Sequence, residues 1–174
     1  MRNLILGIST IVLISSLLLS SCSKDEYDPV QSSSKSCVIE IECVGVDGEN
    51  LLADKSFVEK IKVEGESSHS NISFNVRNSG STSFLRFDAD LPDQSDMKWS
   101  KDRSEANGMS RMTVKFGKQK ASLKCFVKFI ANRPPAMEGG ALTLQEVEYG
   151  GHTYKRSGNV VTITMHFNKD GKLQ

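Results

Sequence analysis

A two-residue hydrophobic period, repeated in many short segments, constrains this chain more than any other feature. Cys37, Ile39, Ile41 and Cys43 alternate with Val38, Glu40, Glu42 and Val44. Ile61 and Val63 stand among Lys60, Lys62 and Glu64, and Ile72, Phe74 and Val76 among Asn71, Ser73, Asn75 and Arg77. The same period returns at Met112, Val114 and Phe116, at Leu123, Cys125, Val127 and Phe129, and at Val161, Ile163 and Met165. Phe84 to Ala89 is strand-like, and Leu142, Leu144 and Val147 give a weaker signal. Successive side chains of a strand point to opposite faces, so each segment predicts a strand with one face in a core. Eight to ten such strands predict an all-β fold, an antiparallel two-sheet sandwich of immunoglobulin-like type. A small closed, calycin-like barrel is the alternative. The turn chemistry agrees: Gly150-Gly151 between Glu146–Tyr149 and His152–Lys155 is a two-residue hairpin signal. The single helical candidate is 51–59, where Leu51, Leu52 and Phe57 share a face.

The first residues follow a different rule. Arg2 is the sole charge before residue 24, and the run from Leu4 to Leu19 is interrupted by Gly, Ser and Thr alone. A charged start followed by such a run has the form of a secretory signal and falls short of the roughly 20 apolar residues of a spanning helix. It ends in Leu19-Ser20-Ser21-Cys22, which resembles the lipobox of bacterial lipoproteins. The chemistry of each position fits: a thiol to carry a diacylglycerol thioether, two small residues for a peptidase cleaving between Ser21 and Cys22, and an apolar leucine. The resemblance implies diacylglycerol and an N-acyl chain on Cys22, three chains that anchor a protein without spanning the membrane. Lys24-Asp25-Glu26 is similar to the surface-export signal of Bacteroides-type lipoproteins, which implies the outer face of the outer membrane; the periplasmic face is the alternative.

The expected organisation is therefore a signal peptide at 1–21, a lipidated flexible tether at 22–36 and one sandwich domain at 37–174. The tether is polar and serine-rich, a composition that buries no core. Asp47-Gly48-Glu49-Asn50-Leu51-Leu52, the strand Thr113–Phe116, Cys125 and the Tyr149-Gly150-Gly151 hairpin also resemble small Bacteroides-type lipoproteins, a group whose resemblance implies no activity.

Charge is divided along the chain. From Cys22 to Asp96 there are 7 Lys/Arg and 15 Asp/Glu; from Met97 onward there are 14 and 6. The basic stretch holds Lys98, Lys101, Arg103, Arg111, Lys115, Lys118, Lys120, Lys124 and Lys128. Either it forms a patch for an acidic polysaccharide, lipopolysaccharide or nucleic acid, or strands of the two halves become neighbours and their opposite charges pair. The second reading is preferred, and a formal charge of +1 argues against a nucleic-acid partner.

Catalytic signatures are sparse. His69, His152 and His166 lack metal-ligand spacing and read as solvated. Glu40/Glu42, Glu64/Glu66, Asp88/Asp90 and Glu146/Glu148 are pairs two residues apart. On a strand such carboxylates lie about 7 Å from each other, within the roughly 5–10 Å a glycosidase uses. Any polar strand face has the same look. Asp88, Asp90, Asp93 and Asp96 form an acidic cluster without the glycine and distal glutamate of an EF-hand. Cys37 and Cys43, six residues apart on one strand, are about 20 Å from each other and cannot bridge. Cys125 either joins them as a third buried thiol or bridges to one of them.

Trp99, Tyr149 and Tyr154 are the candidate ligand contacts, as platforms for sugar rings. Tyr149 and Tyr154 alternatively pair across Gly150-Gly151. Asn132–Pro135 with Met137–Gly140 reads as a long loop suited to a specific contact.

No cofactor, no metal and no catalytic residue is expected. The function expected is a lipid-anchored, surface-exposed binding or accessory module without enzymatic activity, partnered by the membrane and by a glycan or envelope protein. The alternatives are a structural envelope or fimbria-like subunit assembling by strand addition, in which Lys35 would be a processing site, and a glycan-active enzyme or lipid carrier.

Overall fold

The computed structural model describes residues 34–134 and 136–174. Cys22, the Ser21–Cys22 junction and Lys24-Asp25-Glu26 lie outside the described residues.

The fold is an all-β sandwich of two sheets. Its strands are β1 (Ser34–Ser36), β2 (Val38–Val44), β3 (Ile61–Gly65), β4 (Asn71–Ile72), β5 (Phe74–Ser79) and β6 (Thr82–Asp88), followed by β7 (Lys98–Trp99), β8 (Glu105–Phe116), β9 (Gln119–Arg133), β10 (Ala136–Tyr149), β11 (His152–Lys155) and β12 (Val160–His166). The larger sheet has the order β1-β10-β9-β8-β3-β4, with β11 added to β10 and β7 to β8. The smaller has the order β12-β2-β6-β5. Pairing is antiparallel except at β1–β10 and β2–β12, which are parallel.

The alternating residues meet between the sheets. Ile39, Ile41 and Cys43 of β2, Leu85 and Phe87 of β6, and Val161, Ile163 and Met165 of β12 face Met112, Val114, Leu123, Cys125 and Val147 in one core. One end is plugged by Phe57, Phe116 and Phe167, whose rings contact one another at centroid distances of 5.2–5.8 Å. The helical candidate splits in two. A 3₁₀ turn at Leu51–Ala53 is capped by Asn50, and the short helix α1 (Lys55–Val58) is capped by Asp54. Leu52 is buried, and Leu51 and Phe57 pack on the core as their spacing predicts.

Several sequence expectations need correction. The run from Ile72 to Val76 is not one strand, because the chain leaves the large sheet after Ile72 and enters the small one at Phe74. A similar crossing occurs at Cys37, between β1 and β2. Ser34–Ser36, which fall within the segment expected to be tether, pair with Ala141–Thr143. Most of the expected long loop at 132–140 is strand, since β9 runs to Arg133 and β10 starts at Ala136, directly opposite it. The weak alternation around Leu142 has a cause in a register shift between Leu144 and Glu146. The shift takes up one extra residue, so the inward parity passes from Leu142 and Leu144 to Val147. Gly150 and Gly151, at φ 58° and 80°, make the β10–β11 hairpin turn, a conformation that side chains resist.

Candidate functional site

The aromatic candidates are placed by packing. Tyr149 pairs with His152 and Tyr154 with Val147, so the two tyrosines sit diagonally on one face of the hairpin. Both are half-buried against the main core, and burial pushes the Tyr149 hydroxyl above its ordinary pKa. Trp99 belongs to a second, small cluster, edge-on to Phe129 at 5.6 Å beside Ala106 and Leu142. Leu142 and Tyr149 are seven residues apart on β10, about 23 Å. The tyrosines come together and the tryptophan stands apart.

The three described cysteines, Cys37, Cys43 and Cys125, are free and buried. Burial raises the thiol pKa of each, to about 12 for Cys43 and Cys125. The Cys37 thiol points at the Leu142 carbonyl. All three histidines are exposed, His69 at a positive φ of 49°.

The acidic cluster resolves into a structural clamp. Asp90 is buried, and its Oδ2 accepts hydrogen bonds from the backbone of Ser67 (2.8 Å) and Ser68 (3.2 Å). Its carbonyl accepts from the Ser110 hydroxyl at 2.5 Å. Gly65 makes room for it, since a Cβ there would sit 2.5 Å from the Asp90 carboxyl carbon. This carboxylate closes the turn between β3 and β4. No cluster of metal-ligating side chains occurs among the described residues.

The carboxylate pairs are dispersed. Glu40 and Glu42 lie on the outer face of the small sheet. Glu40 is 6% exposed and accepts hydrogen bonds from Arg77 (2.9 Å) and from Arg86, its direct partner across the β2–β6 ladder. Glu64 and Glu148 are on the outer face of the large sheet and pair with Lys115 and Lys124.

That outer face is the surface the fold assembles. Odd residues of β8 and even residues of β9 point outward, because Met112, Val114 and Leu123, Cys125 point in. Lys62, Lys115 and Lys120 are consecutive direct partners across β3, β8 and β9. Arg111 stands opposite Lys124, and Asn107 stands between Lys98 and Lys128. These cationic rungs recur every four residues of β8, about 13 Å apart. Between the last two lies an apolar rung, Met109 opposite Phe126. Met109 is 38% exposed and Ile130, further along β9, 45%. A shallow groove over this rung is lined by Lys98, Arg111, Met109 and Phe126, with Glu66 and Asp96 also on its wall.

The charge pattern thus departs from the preferred sequence reading. Three lysines of the face do pair, Lys115 with Glu64, Lys124 with Glu148 and Lys128 with Glu105. Of these only Glu64–Lys115 joins the acidic half of the sequence to the basic half. Lys62, Lys98, Arg111 and Lys120 form no ion pair with any described residue. Lys101 and Arg103 lie on the turn between β7 and β8. Its centre is Asp102, whose Oδ1 accepts from the hydroxyls of Ser100 (2.7 Å) and Ser104 (2.8 Å). Those bonds hold its pKa down at about 2. Sequence reasoning found the basic residues but not their common face, because the register of β8 on β9 sets which of them align. The signal available was the parity of Arg111 and Lys115 on one strand and of Lys120, Lys124 and Lys128 on the next.

Comparison with known protein families, with curated proteins and with solved structures finds no match for this chain.

Proposed function

We propose that this chain is a lipid-anchored envelope protein whose sandwich is a binding module rather than an enzyme. Leu19-Ser20-Ser21-Cys22 supports the anchor, and Lys24-Asp25-Glu26 supports display on the outer surface. The observation that carries the binding role is the outer face of the large sheet, where like charges stand directly opposite one another. Such pairs are unfavourable in a free domain. The cost is recovered when an anion lies between them. Strand addition is weighed down by β2, which is paired on both edges by β12 and β6. β1 is paired as well, to β10, so both of the first described strands are in use within their own domain.

The test is acyl labelling and protease shaving of intact cells, with Cys22→Ala as the comparison. The expected result is label on the native chain alone, loss of the native chain on shaving, and release of Cys22→Ala from the membrane. An unlabelled native chain would remove the anchor. A labelled chain that resists shaving would move it to the periplasmic face.

A further inference from the structure

Resting on the binding role just proposed, we infer that the outer face of the large sheet takes an acidic polysaccharide, lying along β8 and β9 over the Met109–Phe126 rung. Three properties of the face select this class of ligand. First, its unpaired cations form a track. Lys62 and Lys120 stand at one end, Arg111 in the middle and Lys98 at the other, spanning about 26 Å at strand spacing. A short anion fills one rung, whereas a chain with repeated carboxylates or sulfates meets all three.

Second, the groove between Lys98 and Arg111 is not purely basic. Glu66 and Asp96 line it as well. Carboxylates are acceptors only, so they repel a phosphate-dense surface and welcome hydroxyl donors. An acidic sugar supplies both groups, an anion for Lys98 and Arg111 and hydroxyls for Glu66 and Asp96. A bilayer of anionic headgroups offers the first in excess and meets Glu64, Glu105 and Glu148 on the same face.

Third, the rung between the charges is apolar and accessible. Phe126 is half-buried and Met109 exposed, and the C–H face of a pyranose ring packs on such a surface. Nucleic acid fits less well. Its bases call for exposed stacking aromatics in a strongly basic groove, and this face offers one half-buried ring.

The experiment is a titration of the chain from Ser23 to Gln174, which keeps every described residue. The probes are alginate and dextran sulfate as carboxylate and sulfate polymers, neutral dextran, phosphatidylglycerol vesicles and single-stranded DNA. Binding to alginate or dextran sulfate, weakening with salt and absent with neutral dextran, is expected. Arg111→Gln and Lys120→Gln are each expected to weaken it about tenfold, as loss of one charge-assisted hydrogen bond implies. Met109→Ser, an exposed change that spares the core, weakens it also, and Lys169→Gln on the far turn leaves it unchanged.

Binding to vesicles or DNA but to neither acidic polysaccharide overturns the inference. So does polysaccharide binding that Arg111→Gln and Lys120→Gln leave intact, and so does no binding to any probe. Loss of the anchor in the shaving experiment is read separately, because the titration uses no lipid on Cys22.

Discussion

The outer faces of the two sheets are built from the same residue types and arranged in opposite ways. On the small sheet a carboxylate sits at the centre with two guanidinium groups laid over it. Glu40 is directly opposite Arg86 and bonded to Arg77 as well. On the large sheet, cations stand opposite cations, at Lys62–Lys115–Lys120 and at Arg111–Lys124. The first arrangement serves the fold, because the Glu40 charge is answered within the sheet, by Arg86 across the ladder and by Arg77. The second leaves charge to be answered from outside. The distinction turns on who stands opposite whom, not on how many charges a face carries.

Glu40→Ala breaks the small-sheet side of this comparison most severely. It removes an acceptor held by two arginines and is expected to lower stability by about 2 kcal/mol in a denaturant titration. Both arginines keep partial access to water, which limits the loss below that of a sealed pair. A loss within experimental error would mean that the centre of the small sheet is held by its backbone ladders alone.

Any pH experiment on the faces has to be separated from the core thiols. Cys43 and Cys125 are pushed up to about 12 from an ordinary value of 9.0. Their protons are held more tightly in the folded state than in the unfolded one. Stability is therefore fully present below pH 9 and falls as pH rises from there toward 12. The expected loss is about 1 kcal/mol per thiol between pH 9 and 10. Cys43→Ala with Cys125→Ala flattens that slope. An unchanged slope would place the pH dependence on groups other than these two thiols.

Lys62→Glu and Lys120→Glu sharpen the comparison from the other side, with a smaller effect. Each converts a like-charge opposition into an attractive one and is expected to raise stability by about 0.5 kcal/mol. Binding of acidic polymer falls at the same time. A substitution that stabilises the fold while weakening its ligand marks a face kept for function. If both variants destabilise, the lysines serve the sheet and the reading of that face fails.

How much of this was legible in the sequence depended on whether a feature was set along one strand or between strands. Ile39, Ile41 and Cys43 declared their burial by parity alone, and Gly150-Gly151 declared its hairpin. Parity failed where the backbone changed its own rules. At Leu144–Val147 an irregular register reverses which side faces in, and at Cys37 and Ser73 a single run of sequence is shared between two sheets. Both follow from distant pairings that no local pattern records. The candidate site lies wholly on the second side of that divide. Lys120, Lys124 and Lys128 were visible as basic residues, but only their pairing with Lys115, Arg111 and Asn107 makes rungs of them. Trp99 and Tyr149 were visible as large aromatics, but their packing against Phe129 and the main core is set by pairings that the local sequence does not record.

The parallel pairing of β2 with β12 fixes an order of events in folding. Val38 meets Val160 and Ser34 meets Ala141, contacts that close loops of more than a hundred residues and slow the search for them. Until residues 160–166 have left the ribosome, β2 has one unsatisfied edge, a template for pairing with another chain. A chain cut short before Val160 would carry that open edge permanently. β12 thus seals an edge laid down more than a hundred residues earlier, and aggregation is the expected fate of any copy that loses it.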